Sequence, residues 1–173
     1  MKSFLTGVAA AGLVLAVGTY FSITNGWIPA NADAKPGSLE TWAAHQSLRA
    51  TIRREAPTAP VPVAFTNANV IAGIHLYSAN CAVCHGASNG QASNIAVGLF
   101  QKPPQLAIDD VTDDPEGKIY WFVKHGVRLT GMPSFSGTLT EEQIWQVVLF
   151  LKHMDKLPPE AVKVWKAVPS AKL

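Results

Sequence analysis

The alternation of apolar and polar positions divides this chain before any single residue is considered. From Phe4 to Ile23 almost every position is apolar or small, and after Lys2 no charged side chain appears until Asp33. About twenty helical residues span roughly 30 Å, the thickness of a bilayer's hydrocarbon core. Residues 1–28 therefore read as a single transmembrane anchor, with Trp27 suited to the outer interface and Lys2 to the inner side. A cleavable signal peptide is the rival reading, with Ala32-Asp33-Ala34 as a small-residue processing site. The apolar run is longer than a usual signal core and that site lies far from its end, which favours the uncleaved anchor.

Beyond residue 34 the apolar positions recur at helical spacing. Ser38 to Ala56 predicts a helix with Ser38 as its cap, a rough apolar face of Leu39, Trp42, Ala43 and Leu48, and Arg49, Arg53 and Arg54 toward its C-terminal end, where positive charge suits the helix dipole. Pro57, Pro60 and Pro62 then make a stiff connector to Phe65, so residues 29–65 form a linker containing one helix, 38–56. That helix reads either as a spacer or as a docking element for a partner complex. Asn69 to Asn80 carries Val70, Ile71, Ile74 and Tyr77 on one face, with Asn67 or Asn69 as cap.

Further on, Asp113 and Asp114 precede Pro115, and Ile119, Tyr120, Phe122 and Val123 form an apolar face before Gly126, giving a helix both a start and a stop. Thr140 and Gln143 match a capping box, with Ile144, Val147, Val148 and Leu151 as the stripe of a helix that runs to about Met154 and is stopped by Pro158 and Pro159. Residues 66–158 thus form one helical domain, and 159–173 a tail in which Val162, Trp165 and Val168 can make a further short helix. The stretch between Gly86 and Asp110 is rich in Gly, Asn, Ser and Pro and contains no convincing strand.

The chemistry lies in Cys81-Ala82-Val83-Cys84-His85. Two thiols three positions apart with an imidazole immediately after them is the spacing for covalent c-type haem attachment: each thiol adds to one vinyl group, and the His reaches the iron from the proximal side. A redox dithiol would want a strand before the motif and a helix N-terminus beneath it, and a zinc site would want two more ligands of similar spacing. Neither context is present, and these are the only two cysteines of the chain. Gly126-Val127-Arg128-Leu129-Thr130-Gly131-Met132-Pro133 places a second candidate ligand, the Met132 thioether, in a loop fixed by Gly on one side and Pro on the other. Met154, the rival sulfur, sits at the end of an apolar helix and reads as packing.

From about Asn69 to Leu157, roughly half of the sequence, the chain resembles a single-haem class I cytochrome c domain of the bacterial type. The resemblance implies an all-α, cytochrome c-like helical domain around one covalent haem c, preceded here by the single N-terminal transmembrane helix. It implies that Gly73 and Tyr77 lie where the first domain helix crosses the last, against Val147 and Phe150. Pro104-Gln105-Leu106 is similar to the family's Pro-x-Leu segment, whose Pro carbonyl accepts a hydrogen bond from the proximal His and whose Leu packs on the porphyrin. The commonest pattern has Gly where this chain has Pro103, so either Pro103 or Pro104 can supply that carbonyl. The implied haem-binding set is Cys81, Cys84, His85, Met132, Pro104 and Leu106, with His85 and Met132 on the iron.

Charge adds one exclusion. The chain carries a formal net charge of +2, and from Phe65 onward nine basic residues offset nine acidic ones, so nucleic acid is not a partner. His45, His75, His125 and His153 read as surface or helix-terminal residues, the last two at helix C-termini where imidazolium is favoured. With both axial positions filled the iron has no vacancy, and electron transfer is favoured over catalysis. The reading is therefore an electron carrier, not an enzyme: a membrane-anchored cytochrome passing one electron per haem between redox partner proteins. Since the resemblance places haem attachment outside the cytoplasmic membrane, the haem domain belongs in the bacterial periplasm. A permanent haem subunit of a multi-subunit membrane dehydrogenase or terminal oxidase is the alternative, and a haem sensor or peroxidase-like enzyme a more distant one.

Overall fold

The computed structural model describes residues 1–170 and contains helices but no strand among them. It divides into two compact units, the first ending at Ala34. In the first, helix α1 (Lys2–Thr24) is long and apolar enough to cross a membrane. Its end is closed locally: the Asn25 side-chain amide donates to the Phe21 carbonyl at 2.9 Å and Thr24 Oγ1 to the Tyr20 carbonyl at 2.9 Å. By length and composition such a helix meets the physical requirement for a lipid-facing span; a signal sequence has the same form.

The second unit holds α2 (Ser38–Glu55), α3 (Asn67–Asn80), α4 (Ala82–His85), α5 (Asn94–Gly98), α6 (Glu116–His125), α7 (Glu141–Lys152) and α8 (Pro159–Lys166). Its core is the crossing of α3 over α7. Val70, Ile74, Tyr77, Ile144, Val147, Val148 and Phe150 are all fully buried there. Gly73 makes the crossing possible, because a Cβ on it would lie 2.1 Å from the Gln146 carbonyl oxygen and 3.1 Å from the Phe150 Cβ. The Tyr77 ring meets Phe150 edge-on at 5.3 Å. α6 packs on the other side of α7, with Tyr120 stacked on Trp145 at 4.3 Å.

Two helix starts differ from the pattern-based expectation. α2 is capped by Gly37 rather than Ser38, with the Glu40 carboxylate accepting the Gly37 N–H at 3.2 Å. α3 begins at Asn67 and is capped by Thr66, whose Oγ1 accepts the Asn69 N–H at 3.2 Å. Asn69 turns its amide to the Ala64 carbonyl and accepts from Gln146 on α7. In both cases the residue before the expected cap already has the extended backbone that a cap needs. The capping box of Thr140 and Gln143 forms, at 2.8 and 3.2 Å, and α7 ends at Lys152, short of Met154. α5 falls in the stretch read as loop, its start fixed by buried Ser93, which accepts the Ala96 N–H at 3.1 Å.

The segments on either side of the α3–α7 core are packed onto it. α8 buries Ala161 and Trp165, and the Trp165 ring completes an edge-to-face triad, 5.5 Å from Tyr77 and 5.0 Å from Phe150. The connector after α2 lies against the domain, with Val61 and Val63 on the core and the Phe65 ring 4.3 Å from that of His153. Glu55 at the end of α2 accepts the Trp121 indole N–H at 3.2 Å, tying α2 to α6.

Candidate functional site

α3 ends at Asn80, and Cys81 caps both its end and the start of α4, so that both thiols and His85 fall within two turns of helix. The turn is fastened from below by Tyr77. Its buried hydroxyl donates to the carbonyls of His85 at 3.1 Å and Gly86 at 2.8 Å, which ties the motif directly to the aromatic triad of the core. Ser93, just before α5, donates to the Val83 carbonyl. Gly86 leaves the motif with φ +77, a conformation that a side chain rarely adopts. Neither cysteine is in a disulfide. Burial, and secondarily the nearby Cys84, pushes the Cys81 thiol up to about 12, so in the chain without a prosthetic group it is protonated.

His85 is held by one specific bond. Its Nδ1 lies 2.9 Å from the Pro104 carbonyl oxygen. A carbonyl only accepts, so Nδ1 carries the proton and Nε2 is left with its lone pair free. Burial lowers the His85 pKa, outweighing the opposing effect of that bond, and keeps the ring neutral, the form that binds a metal. Leu106 N–H donates to the His85 carbonyl at 3.2 Å, so the Pro104–Leu106 segment grips His85 at both ring and backbone. The two prolines left open by the sequence divide their work. Pro104 takes the imidazole, and the Pro103 carbonyl takes the Gln105 side-chain amide at 3.1 Å.

Met132 stands on a different loop. Half-buried, it follows Leu129, a non-glycine residue at φ +62, and the loop folds back onto the end of α6. Val127 N–H donates to the Met132 carbonyl at 3.1 Å and Thr130 Oγ1 accepts the Met132 N–H at 3.1 Å. Gly126 at φ +65 sits so close that a Cβ there would be 2.5 Å from Pro133. The side chain of Leu99, just after α5, covers Gly131. Cys81, Cys84, His85, Pro104 and Leu106 are thus joined in one hydrogen-bonded cluster, and Met132 stands on a separately braced loop. Around them Val83, Ile95, Val97, Ile108 and Leu129 are large apolar side chains left exposed. Met154 is partly buried against the core and lines a cleft with Leu106, Ile108 and Val111.

The residues present suit a covalently attached haem: two free thiols at the right spacing, a neutral imidazole with Nε2 available, a rigid thioether loop, and apolar side chains exposed beside them. Two residues of the cluster were not among the sequence-derived candidates. Gln105 stands in the sequence as the variable position between Pro104 and Leu106, and the family pattern places Tyr77 at the helix crossing alone. The spacing of eight from Tyr77 to His85 carries no local signal of a side-chain bond.

Residues 68–151, the stretch from α3 to α7, match the family described as cytochrome c oxidase, cbb3-type, subunit III. Cytochrome c6 of Parathermosynechococcus lividus is 32% identical over 85 residues, which cover 49% of this chain and 88% of that protein.

Proposed function

This chain belongs to the single-haem class I c-type cytochromes, and from that membership we propose a carrier anchored by α1 that passes one electron at a time between respiratory partners at the periplasmic face of a bacterial cytoplasmic membrane. Electron transfer and a covalently bound haem c come with the family. When bound, the haem supplies a one-electron couple.

In this reading Cys81 and Cys84 would carry the thioether links, and His85 and Met132 would be the protein ligands of the iron. The observation that carries it is the 2.9 Å bond from His85 Nδ1 to the Pro104 carbonyl. A histidine whose one nitrogen is fixed by a backbone carbonyl offers the other in a set orientation and as a stronger donor, which is how metal-ligating imidazoles are held. The Met132 loop is braced by its own hydrogen bonds and by Gly126, so its thioether needs little rearrangement between oxidation states. Leu106 and the exposed apolar side chains exclude water. With two protein ligands the haem would supply electron transfer rather than oxygen or peroxide chemistry.

Spectra and intact mass of the full chain, extracted in mild detergent, test this. The expected result is a low-spin oxidised form with His and Met ligation and a mass raised by one haem; a high-spin or bis-His signature removes Met132 from its role.

A second reading, a permanent subunit of an oxidase or dehydrogenase complex, is favoured by α2. Thr41, Leu48, Thr51 and Ile52 are half-buried on the side that docks by Glu55 to Trp121, while Leu39, Trp42, Gln46, Arg49 and Arg53 share the opposite, exposed side. A rigidly held face of Leu, Trp and Arg has the composition of an interface. A carrier leaves detergent extracts alone; a subunit brings partners in fixed ratio.

A further inference from the structure

The segment that presents the Pro104 carbonyl to His85 lacks the usual means of being held. Pro103 and Pro104 have no N–H, so two consecutive residues offer the surrounding backbone no donor. The Pro103 carbonyl is nonetheless placed, and the Gln105 side chain is what places it. Its Nε2 donates at 3.0 Å to the Cys84 carbonyl, inside the attachment motif, and at 3.1 Å to the Pro103 carbonyl. The amide is thus a clamp between the motif and the proline pair. Its orientation is fixed, because both partners are carbonyl oxygens and only the nitrogen can donate to them. Oε1 is consequently turned to the buried side, against Gly86, where a Cβ would be 2.6 Å away. The Gln105 backbone is secured in turn, its N–H donating to Asp109 Oδ2 at 2.6 Å and its carbonyl accepting the Ile108 N–H at 2.9 Å.

We infer that Gln105 is a positioning residue for the proximal ligand: by clamping Pro103 to Cys84 it sets the length and direction of the His85–Pro104 bond, and through that bond the reduction potential. The inference rests on the reading above, in which His85 is an axial ligand. A firm Nδ1–H to carbonyl bond makes the imidazole a stronger donor and favours ferric iron. Loosening the clamp therefore raises the potential. Mere loosening of packing would let in water and lower it, so the sign separates positioning from structure.

The experiment uses the full-length haem-bearing chain with Q105L, which keeps a similar branched shape without polar atoms, and Q105M, which keeps the length and removes the donor; neither adds a charge. Midpoint potential and the deuterium exchange rate of the His85 Nδ1–H are read for both. For each variant the reduced-to-oxidised ratio at a fixed applied potential is expected to rise by about threefold or more, with faster ring N–H exchange. An unchanged or lowered potential in a haem-bearing variant overturns the inference, and so does failure of both variants to retain haem, which would make Gln105 a holder of the motif itself. A wild-type spectrum without His85 ligation is a separate outcome: it sinks the underlying reading before either variant is measured.

Discussion

The carbonyl oxygen of Pro57 occupies the place where a side chain on Gly117 would have to begin, 1.8 Å from an ideal Cβ. The Pro-rich connector is therefore seated on α6 by direct contact between backbones, and the Glu55–Trp121 bond lies one turn further along the same helix. Gly117→Ala should lift the connector and free α2 while leaving the α3–α7 crossing alone. The expected cost is about 1–3 kcal/mol, the usual penalty for overpacking. Amide hydrogen exchange should rise along residues 38–55 and stay level in α3 and α7. Unchanged protection in α2 would mean that the helix is not held at this point.

Gly73 marks the other close approach and should be less forgiving. Its neighbour is the Gln146 carbonyl in the middle of α7, which cannot move without shifting the whole crossing. Gly73→Ala should lie at or above the upper end of the same ~1–3 kcal/mol range, and denaturant unfolding of the haem-bearing protein should show both a lowered midpoint and an unchanged slope. A cost below that of Gly117→Ala would contradict the ordering.

These two glycines show what was and was not legible in the sequence. Gly73 was placed at the crossing through the family pattern, whereas Gly117 looks like any residue in the first turn of α6. The helices with strong local signals, such as Thr140 with Gln143 or Gly126 after His125, could be read because cap and stop lie within a few residues of each other. What escaped depends on distant partners. Gln105 clamps residues twenty-one and two positions away, Tyr77 reaches carbonyls eight and nine positions on, and Trp165 completes a triad with rings on two other helices. Periodicity detects a buried face but cannot say which groove it fills, so α8 appeared in the pattern without its role.

Trp165 offers the sharpest test of that role. It is buried between Tyr77 and Phe150, and Tyr77 also holds the carbonyls of His85 and Gly86. Trp165→Ala should cost about 3–5 kcal/mol, as large-to-small changes in a packed aromatic core do. It should also loosen the attachment motif, visible as faster exchange of the His85 and Gly86 amides. A melting temperature within a degree or two of the parent would mean that α8 only rests on the surface.

The haem itself should be part of the core. A domain this small, with apolar side chains such as Ile95, Val97 and Leu129 left exposed around the motif, buries little apolar surface without its cofactor. Cys81→Ala combined with Cys84→Ala should yield a chain whose far-ultraviolet dichroism shows reduced helix and no cooperative melt. A sharp, fully helical transition in that variant would show that the helices hold without the haem.

The α6–α7 junction predicts a dependence on pH whose sign can be worked out. Glu141 accepts from both Lys124 and the Tyr120 hydroxyl, and Lys124 also donates to the Tyr120 oxygen at 2.9 Å. The bond from Lys124, then that from Tyr120, holds the Glu141 carboxyl below its ordinary 4.5, and Glu141 in turn raises Lys124 above 10.5. A carboxylate with a depressed value in the folded state contributes stability that is fully present above 4.5 and is lost as pH falls through the lower folded value. The lysine contributes below 10.5 and loses its share as pH rises through its raised value. The stability difference between the parent and Glu141→Gln should therefore be flat from about pH 5 to 10 and shrink on both sides. It should also shrink in high salt, because the Glu141 carboxylate is exposed and the pair is screened. Melting temperatures of the pair across that range check this, and a difference that grows as the pH drops below 4 would show that Glu141 is not the charged partner of Lys124.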